Sequence, residues 1–294
     1  MSRESGSTKT FATRPRAEPF RPVPCALCGG SRMKPLWNCG DFSFARCASC
    51  GLVQQNPQPL AEAVVSRYDS GYLAYEEANQ ETYRDLALMA LRDLGLEEAA
   101  APAFARAASV GARPRALDVG CATGALLDAL RDRGWEPQGV EVSEAQAEYG
   151  RARYGAPISA GTLEAAAFPA GSFDLVHASH LIEHLNEPGA FLDEVARVMR
   201  SDGLLVLTTP NADGLQARFL GPAWRSAIYD HLYLFSARTL RALLEARGFA
   251  TSALVTWGGW ARGLRPAFLK RPLDRAAKRL GFGDVMAILA RRAE

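Results

Sequence analysis

From residue 116 onwards, short apolar runs alternate with segments in which apolar residues recur at helical spacing. The first pattern is typical of buried strands and the second of helices packed against a sheet. The apolar runs predict seven strands, over 116–120, 137–142, 157–159, 173–178, 203–209, 251–257 and 285–291. The helical spacing predicts helices over 125–133, 144–153, 188–200 and 237–247. Because strands alternate with helices, we expect an α/β fold whose mostly parallel sheet is covered on both faces.

The chain before this region has a different organisation. Residues 60–105 place apolar and charged positions at helical spacing, and residues 99–114 are alanine-rich, which predicts an exposed connection into the first core strand. These shifts divide the chain into a flexible tail (1–22), a cysteine-containing ribbon (23–58), a helical linker or lid (59–114) and the α/β domain (115–294).

The turn after the first core strand carries the clearest chemical signal. Asp118 ends the strand, and the small residues Gly120, Ala122 and Gly124 follow. A dinucleotide site needs Gly-x-Gly-x-x-Gly, whereas residue 125 here is alanine. The shorter turn suits a compact zwitterion such as the amino-acid end of S-adenosylmethionine, with Glu141 of the second strand accepting hydrogen bonds from ribose hydroxyls. A doubly wound domain that binds another nucleotide stays open at this point.

Four segments together resemble the class I S-adenosylmethionine-dependent methyltransferases. They are LDVGCATG (117–124), GVEVS (139–143), GTLEAAAFPAGSFDLVHASHLIEHLNEP (161–188) and SDGLLVLTTPN (201–211). The resemblance runs from about residue 115 to residue 291 and implies a Rossmann-like sheet of seven strands with an antiparallel edge hairpin. It departs from many relatives at Ala122, where glycine is commonest, and at Thr162, where an aspartate is common.

The resemblance also implies which residues bind the cofactor. The turn holds the methionine end, Glu141 binds ribose, Thr162 or the following backbone contacts adenine, and Ser179 offers its carbonyl. The implied set is Asp118, Gly120, Cys121, Ala122, Gly124, Glu141, Val142, Thr162, Leu163 and Ser179.

Four of the six cysteines form two Cys-x-x-Cys pairs, Cys25 with Cys28 and Cys47 with Cys50. Two such knuckles place four thiolates around one ion, which predicts a zinc ribbon whose zinc is structural because no coordination position stays open. Disulfides are the alternative, and an expected reducing cytosol disfavours them. Cys39 reads as an ordinary small residue.

The segment after the ribbon resembles sugar C-methyltransferases that carry an N-terminal ribbon. In those relatives an aromatic segment, here Tyr68, Tyr72 and Tyr75, folds over the cofactor mouth. The same tyrosines could instead pack the linker against the core.

His177, His180 and His184 cluster at the end of the predicted strand over 173–178, and His231 precedes the predicted helix over 237–247. Ligands of α/β sheets bind beyond the carboxyl ends of the strands, so these histidines are candidate site residues. We expect His184 to act as a general base oriented by Glu183, as the resemblance implies for the Glu-His pair, and His231 to act as a base or to contact substrate. Alternatively, both histidines are structural. A metal site built from His180, Glu183 and His184 is a further alternative.

Composition limits the function classes. The net charge is +2 and nearly all positive charge is arginine, so nothing indicates a polyanionic partner, and a nucleic-acid substrate is not expected. No apolar run is long enough to cross a bilayer and the N-terminus lacks a secretory hydrophobic segment, so we expect a cytoplasmic protein. The sequence therefore predicts methyl transfer to a small molecule at carbon or oxygen. A ribosomal RNA methyltransferase and a catalytically inactive scaffold are the alternatives, and the oligomeric state is not predicted.

Overall fold

The computed structural model describes residues 20–60, 70–258 and 280–293, with the side chains of 70–72 excepted. Most of the predicted tail and Tyr68 lie outside these residues, as does the side chain of Tyr72. Among the residues that the structure describes, no helix combines the length and apolar character needed to cross a membrane.

The strands of the described ranges are numbered in chain order. They are β1 Phe20–Arg21, β2 Met33–Asn38, β3 Ser43–Cys47, β4 Val53–Gln55, β5 Gln58–Pro59, β6 Arg115–Val119, β7 Glu136–Glu141, β8 Ile158–Ala160, β9 Phe173–Ser179, β10 Met199–Pro210, β11 Tyr233–Leu234, β12 Phe249–Trp257 and β13 Val285–Arg292.

The helices of these ranges follow the same scheme. They are α1 Ser70–Asp93, α2 Leu96–Ala108, α3 Ala125–Arg131, α4 Glu144–Tyr154, α5 Pro188–Val198, α6 Leu215–Leu220 and α7 Ala237–Glu245, with 3-10 turns at Ile182–His184 and Gly221–Ala223.

Seven strands form the central sheet in the order β12-β13-β10-β9-β6-β7-β8. Strands β6 to β10 pair in parallel, and β13 runs antiparallel between β10 and β12. The predicted Rossmann-like sheet with an antiparallel edge is confirmed. From β6 the sheet is extended in one direction by β7 and β8, and β9 then pairs with the opposite edge of β6. The connections therefore diverge at β6, and a crevice opens beyond the carboxyl ends of β6 and β9.

Both faces of the sheet are covered because successive strand residues point to opposite sides. Leu117 belongs to the core that packs against α5 and α7, where it is joined by Leu192 and Leu243. Its neighbour Ala116 belongs to the core on the other face, under α1, α2 and α3. The buried sheet therefore places the ends of β6, β7 and β9 rigidly with respect to one another.

The sequence analysis predicted an exposed connection over 99–114. Residues 109–113 are exposed and lead into β6 as predicted, but residues 99–108 are helical. They lie in α2, with Ala100 buried and the Phe104 ring 4.9 Å from that of Trp135. Alanine has the highest helix propensity, and Glu97 and Glu98 in the first turn favour the helix N-terminus. A run of small residues therefore built a packed helix rather than a loop.

The N-terminal segment forms its own sheet and borrows one strand. The order β11-β4-β3-β2 joins three ribbon strands to β11, which follows the α/β domain's fifth parallel strand in the chain. Tyr233 of β11 lies opposite Gln54, and Leu234 lies opposite Val53. The ribbon is thus hydrogen-bonded into the α/β domain rather than standing apart from it.

Candidate functional site

The turn between β6 and α3 has a backbone that demands small residues. Gly120, Ala122 and Gly124 have φ values of 71°, 48° and 78°. Residues that carry a Cβ rarely adopt this left-handed backbone conformation because it brings the Cβ too close to the main chain. A Cβ at Gly124 would also stand 3.0 Å from Ile158. The turn is anchored at its start by Gly120 N–H, which donates to the Val140 carbonyl at 2.8 Å. A backbone of this kind can approach a ligand closely.

Glu141 lies at the carboxyl end of β7 and faces this turn. One carboxylate oxygen accepts a hydrogen bond from Ala122 N–H at 3.0 Å, and the other accepts one from Ser143 N–H at 2.9 Å. Burial raises the pKa of the carboxyl, and these backbone donors oppose the rise. A carboxylate has about four acceptor positions, so acceptor capacity for a ligand is left after these two bonds.

Asp118 is paired inside the protein. Its carboxylate lies 2.6 Å from Nδ1 of His177, which is directly opposite in the parallel register of β6 and β9. Both side chains are buried, and Nε2 of His177 has no hydrogen-bond partner among the described residues. The pair stiffens the strand ends under the turn.

The remaining residues of the predicted cofactor set lie on the loops around Glu141. Gly161 N–H donates to the Glu141 carbonyl at 2.8 Å, which brings the loop of Thr162 and Leu163 beside β7. The Thr162 hydroxyl accepts from Ala165 N–H at 3.3 Å and is exposed, whereas Leu163 is buried. Val142 is half-buried after Glu141, and Ser179 ends β9 next to the crevice. Cys121 packs inside the turn, where burial raises the pKa of its thiol.

His184 and His231 meet at the same end of the sheet, with their rings perpendicular and 4.7 Å apart. Nδ1 of His184 lies 2.9 Å from the Asp230 carbonyl, and Nδ1 of His231 lies 2.8 Å from the Ser226 carbonyl. A carbonyl only accepts, so both rings carry their proton on Nδ1 and leave Nε2 as an acceptor. Burial lowers the pKa of both rings, that of His231 to about 3, so both are neutral near pH 7.

The Glu183 carboxylate sits beside this pair without a hydrogen bond to His184. It interacts with Nδ1 of His180 at 3.1 Å and accepts from the Thr209 hydroxyl at 3.0 Å. Burial disfavours its ionisation, but the hydrogen bond with His180 opposes burial, and the pKa of the carboxyl is lowered to about 2. The Asp230 carbonyl, rather than Glu183 as predicted, therefore orients the His184 ring.

Donor atoms of Glu183, His184 and His231 all lie within 4.8 Å of one another. This triad differs from the predicted metal alternative, which combined Glu183 and His184 with His180. Both Glu183 oxygens already take part in hydrogen bonds, so the buried carboxylate is satisfied without an ion.

The four predicted zinc ligands come together in the ribbon. Their sulfur atoms all lie within 4.8 Å of one another, with Cys25 and Cys50 3.3 Å apart and Cys28 and Cys47 3.5 Å apart. These separations are too long for a disulfide bond and suit four thiolates around one ion. Cys39 packs with an aromatic cluster instead. The donor set therefore fits a tetrahedral zinc ion.

A family model described as a methyltransferase domain matches residues 81–254 of the chain, which is more than half of its length. The chain belongs to this methyltransferase family. The matched residues run from α1 to β12 and include the turn, Glu141 and the histidine cluster. The class I S-adenosylmethionine-dependent methyltransferase family expected from the sequence is thereby confirmed.

The methyltransferase is similar to several curated proteins. A probable S-adenosylmethionine-dependent methyltransferase of Mycolicibacterium smegmatis is 33% identical over 136 residues, which is 45% of this chain and 51% of that protein. A ubiquinone biosynthesis O-methyltransferase of Caulobacter sp. is 32% identical over 105 residues, 33% of this chain and 41% of that protein. The chain thus spans about half or less of the length of these relatives. A solved S-adenosylmethionine-dependent methyltransferase of Archaeoglobus fulgidus, 22% identical, has a TM-score of 0.50 over 76% of this chain and 100% of that one, which shows the fold.

Sequence reasoning missed several residues of the methyltransferase site. His177 was noted only as one of the clustered histidines, although adjacency of β6 and β9 puts it opposite Asp118. Nothing in the sequence pointed to the Asp230 carbonyl, because main-chain acceptors have no residue-type signature. Gln55 was missed as well: its amide reaches the His231 carbonyl at 2.9 Å across 176 residues of chain.

Proposed function

We propose that this protein transfers a methyl group from S-adenosylmethionine to a small-molecule acceptor at carbon or oxygen. The observation that carries the proposal is the left-handed small-residue turn with the Glu141 carboxylate at its side. Family membership and the names of the curated relatives support it. Sugar nucleotides and other biosynthetic intermediates are the acceptor class that we favour, because the ribbon and the following segment resemble sugar C-methyltransferases.

The cofactor fits the residues that surround the crevice. The turn at Gly120, Ala122 and Gly124 would take the amino-acid end, with Asp118 and Cys121 supporting it from below, and Glu141 with Val142 would take the ribose. Thr162 and Leu163 would flank the adenine, and Ser179 would offer its carbonyl. When bound, the sulfonium supplies a methyl group that is already activated for in-line displacement.

The protein residues then have to align the acceptor and remove its proton. His184 and His231 are neutral with Nε2 open as an acceptor, so either ring can take a proton from a hydroxyl or an activated carbon. The Glu183 carboxylate is ionised, and its negative charge stabilises the imidazolium that forms. We assign the proton-accepting role to the His184–His231 pair and the electrostatic role to Glu183.

We further propose that the four ribbon cysteines hold one structural zinc ion. Four thiolates close a tetrahedral coordination shell and leave no position for substrate. A ribbon of about thirty residues can bury little surface on its own, so metal binding would contribute much of its folding free energy. Loss of the ion would therefore loosen β2, β3 and β4 rather than change the chemistry directly.

A binding experiment separates this proposal from its alternatives. Isothermal titration calorimetry of the full chain should give micromolar or tighter binding of S-adenosylhomocysteine and no binding of NADH. Retention of NADH with no binding of the sulfonium nucleoside would exclude the proposal. Copurification of RNA, seen as absorbance at 260 nm that nuclease removes, would favour the ribosomal RNA alternative.

A further inference from the structure

The segment that carries His231 is hydrogen-bonded to the ribbon through β4, which pairs with β11. β4 pairs antiparallel with β11, which begins two residues after His231. The Gln55 backbone N–H donates to the Leu232 carbonyl at 2.8 Å, and Leu232 N–H donates in turn to the Glu183 carbonyl at 2.8 Å. The main chain at His231 is thus hydrogen-bonded to the ribbon on one side and to the Glu183 segment on the other.

The Gln55 side chain adds further hydrogen bonds to this segment. Its amide nitrogen donates to the carbonyls of Tyr229 and His231, at 2.7 Å and 2.9 Å. Only the nitrogen end of an amide can donate to a carbonyl, so the chemistry determines which end faces the loop. The side chain is fully buried, and its oxygen has no donor among the residues that the structure describes. The Gln55 amide therefore satisfies two buried carbonyls, one on each side of Asp230, and so fixes the main chain that carries His231.

Gln54, the preceding residue, makes its side-chain hydrogen bonds on the opposite face of β4. The Gln54 amide nitrogen donates to the Pro24 carbonyl at 2.9 Å, and its oxygen accepts from Ala26 N–H at 3.2 Å. These two groups flank Cys25 in the first knuckle. Because successive side chains of a strand point to opposite faces, Gln54 holds the knuckle while Gln55 holds the His231 loop.

We propose that Gln55 is a positioning residue for His231, so that the ribbon contributes part of the catalytic site. Its amide fixes the carbonyls of residues 229 and 231 and thereby keeps the His231 ring against His184 and out of water. This inference rests on the proposed function, in which the histidine pair accepts a proton. Without the amide donor, two buried carbonyls lose their partner and the loop is expected to move until water reaches them.

Histidine titration by NMR tests the inference without a known acceptor. The chain has four histidines, and the spectrum of His231→Gln assigns the signal of interest. In the wild type, His231 should stay neutral through a titration from about pH 8 to about pH 5. The charges that act on its ring are those of His184, Glu183 and His180. Gln55→Met keeps the side-chain volume and removes the donor. It should raise the pKa of His231 far enough for the ring to titrate within this pH range, because hydration of a buried imidazole favours its charged form.

Matched variants separate positioning from general damage. Gln54→Met makes the same change on the opposite face and should leave the His231 midpoint unchanged, and the His177 signal serves as an internal reference. If Gln55→Met does not fold, Gln55→Asn keeps an amide one methylene too short and should give the same shift. An unmoved His231 signal in a folded Gln55 variant, or an equal shift in Gln54→Met, would overturn the inference. Cofactor affinity measured on the same samples judges the proposed function separately.

Discussion

Truncation of Glu141 to alanine tests the cofactor assignment most directly. In the protein alone the carboxylate accepts hydrogen bonds from Ala122 and Ser143, and its remaining acceptor positions are those proposed for the ribose hydroxyls. A hydrogen bond to a charged group contributes about 1.5–3 kcal/mol. Since about 1.4 kcal/mol is a tenfold change in Kd, loss of one such bond weakens binding about tenfold, and loss of two at the same strength weakens it about 100-fold or more.

Calorimetry with S-adenosylhomocysteine measures this change, and thermal unfolding on the same samples checks that the fold survives. The fold check is needed because Glu141→Ala also leaves two backbone donors without their acceptor. Glu144→Ala is a matched control three residues away, at an exposed carboxylate paired with Arg151, and should bind normally. Wild-type affinity in a folded Glu141→Ala protein would refute the ribose assignment.

Three further predictions concern the metal and the histidines. Metal analysis should find about one zinc per chain, lost in Cys47→Ser together with part of the thermal stability, and a folded wild-type protein free of zinc would contradict the ribbon. His184→Ala and His231→Ala should keep cofactor affinity while turnover falls by about 10²–10⁴ once an acceptor is found, and wild-type rates in both would remove the base assignment. Burial lowers the pKa of His231 to about 3 in the folded protein, whereas the pKa is about 6.5 in the unfolded chain. Between these pH values the unfolded state binds more protons, so the free energy of unfolding decreases as the pH falls below about 6.5. Thermal unfolding from about pH 7.5 to about pH 4.5 should show this loss, and His231→Gln should reduce it; equal slopes would show that His231 is not buried and neutral.

The order of strands and helices in the α/β domain was predictable because each element has its own period. The apolar run at 173–178 became β9, Phe173–Ser179, and the run at 203–209 became the buried part of β10. Boundaries were less predictable. Helix α5 ends at Val198, because the chain enters β10 at Met199, which pairs with Phe173 of the neighbouring strand. The first part of the alanine-rich stretch was misjudged because its packing involves a residue distant in sequence, as the contact of Phe104 with Trp135 shows.

The candidate site divides in the same way. The turn around Ala122 was predictable because positive φ restricts the residue types that a local sequence can carry. The ring orientations of His184 and His231 were not, because main-chain carbonyls of residues 230 and 226 set them. The prediction that Glu183 orients His184 was wrong for a related reason. Neighbouring side chains on a tight turn point in different directions, and His180 rather than His184 is hydrogen-bonded to the Glu183 carboxylate.

By itself, the sequence determined the class of sheet, the small-residue turn with Glu141, and the set of four cysteines, because each depends on local periodicity, local backbone geometry or ligand spacing. Only the tertiary structure decided that the ribbon is hydrogen-bonded to the His231 loop. That contact joins Gln55 to a carbonyl 176 residues away, through an amide whose residue type is common and whose partner is plain backbone. Long-range hydrogen bonds of this kind depend on how the chain is packed, and packing is a property of the whole fold.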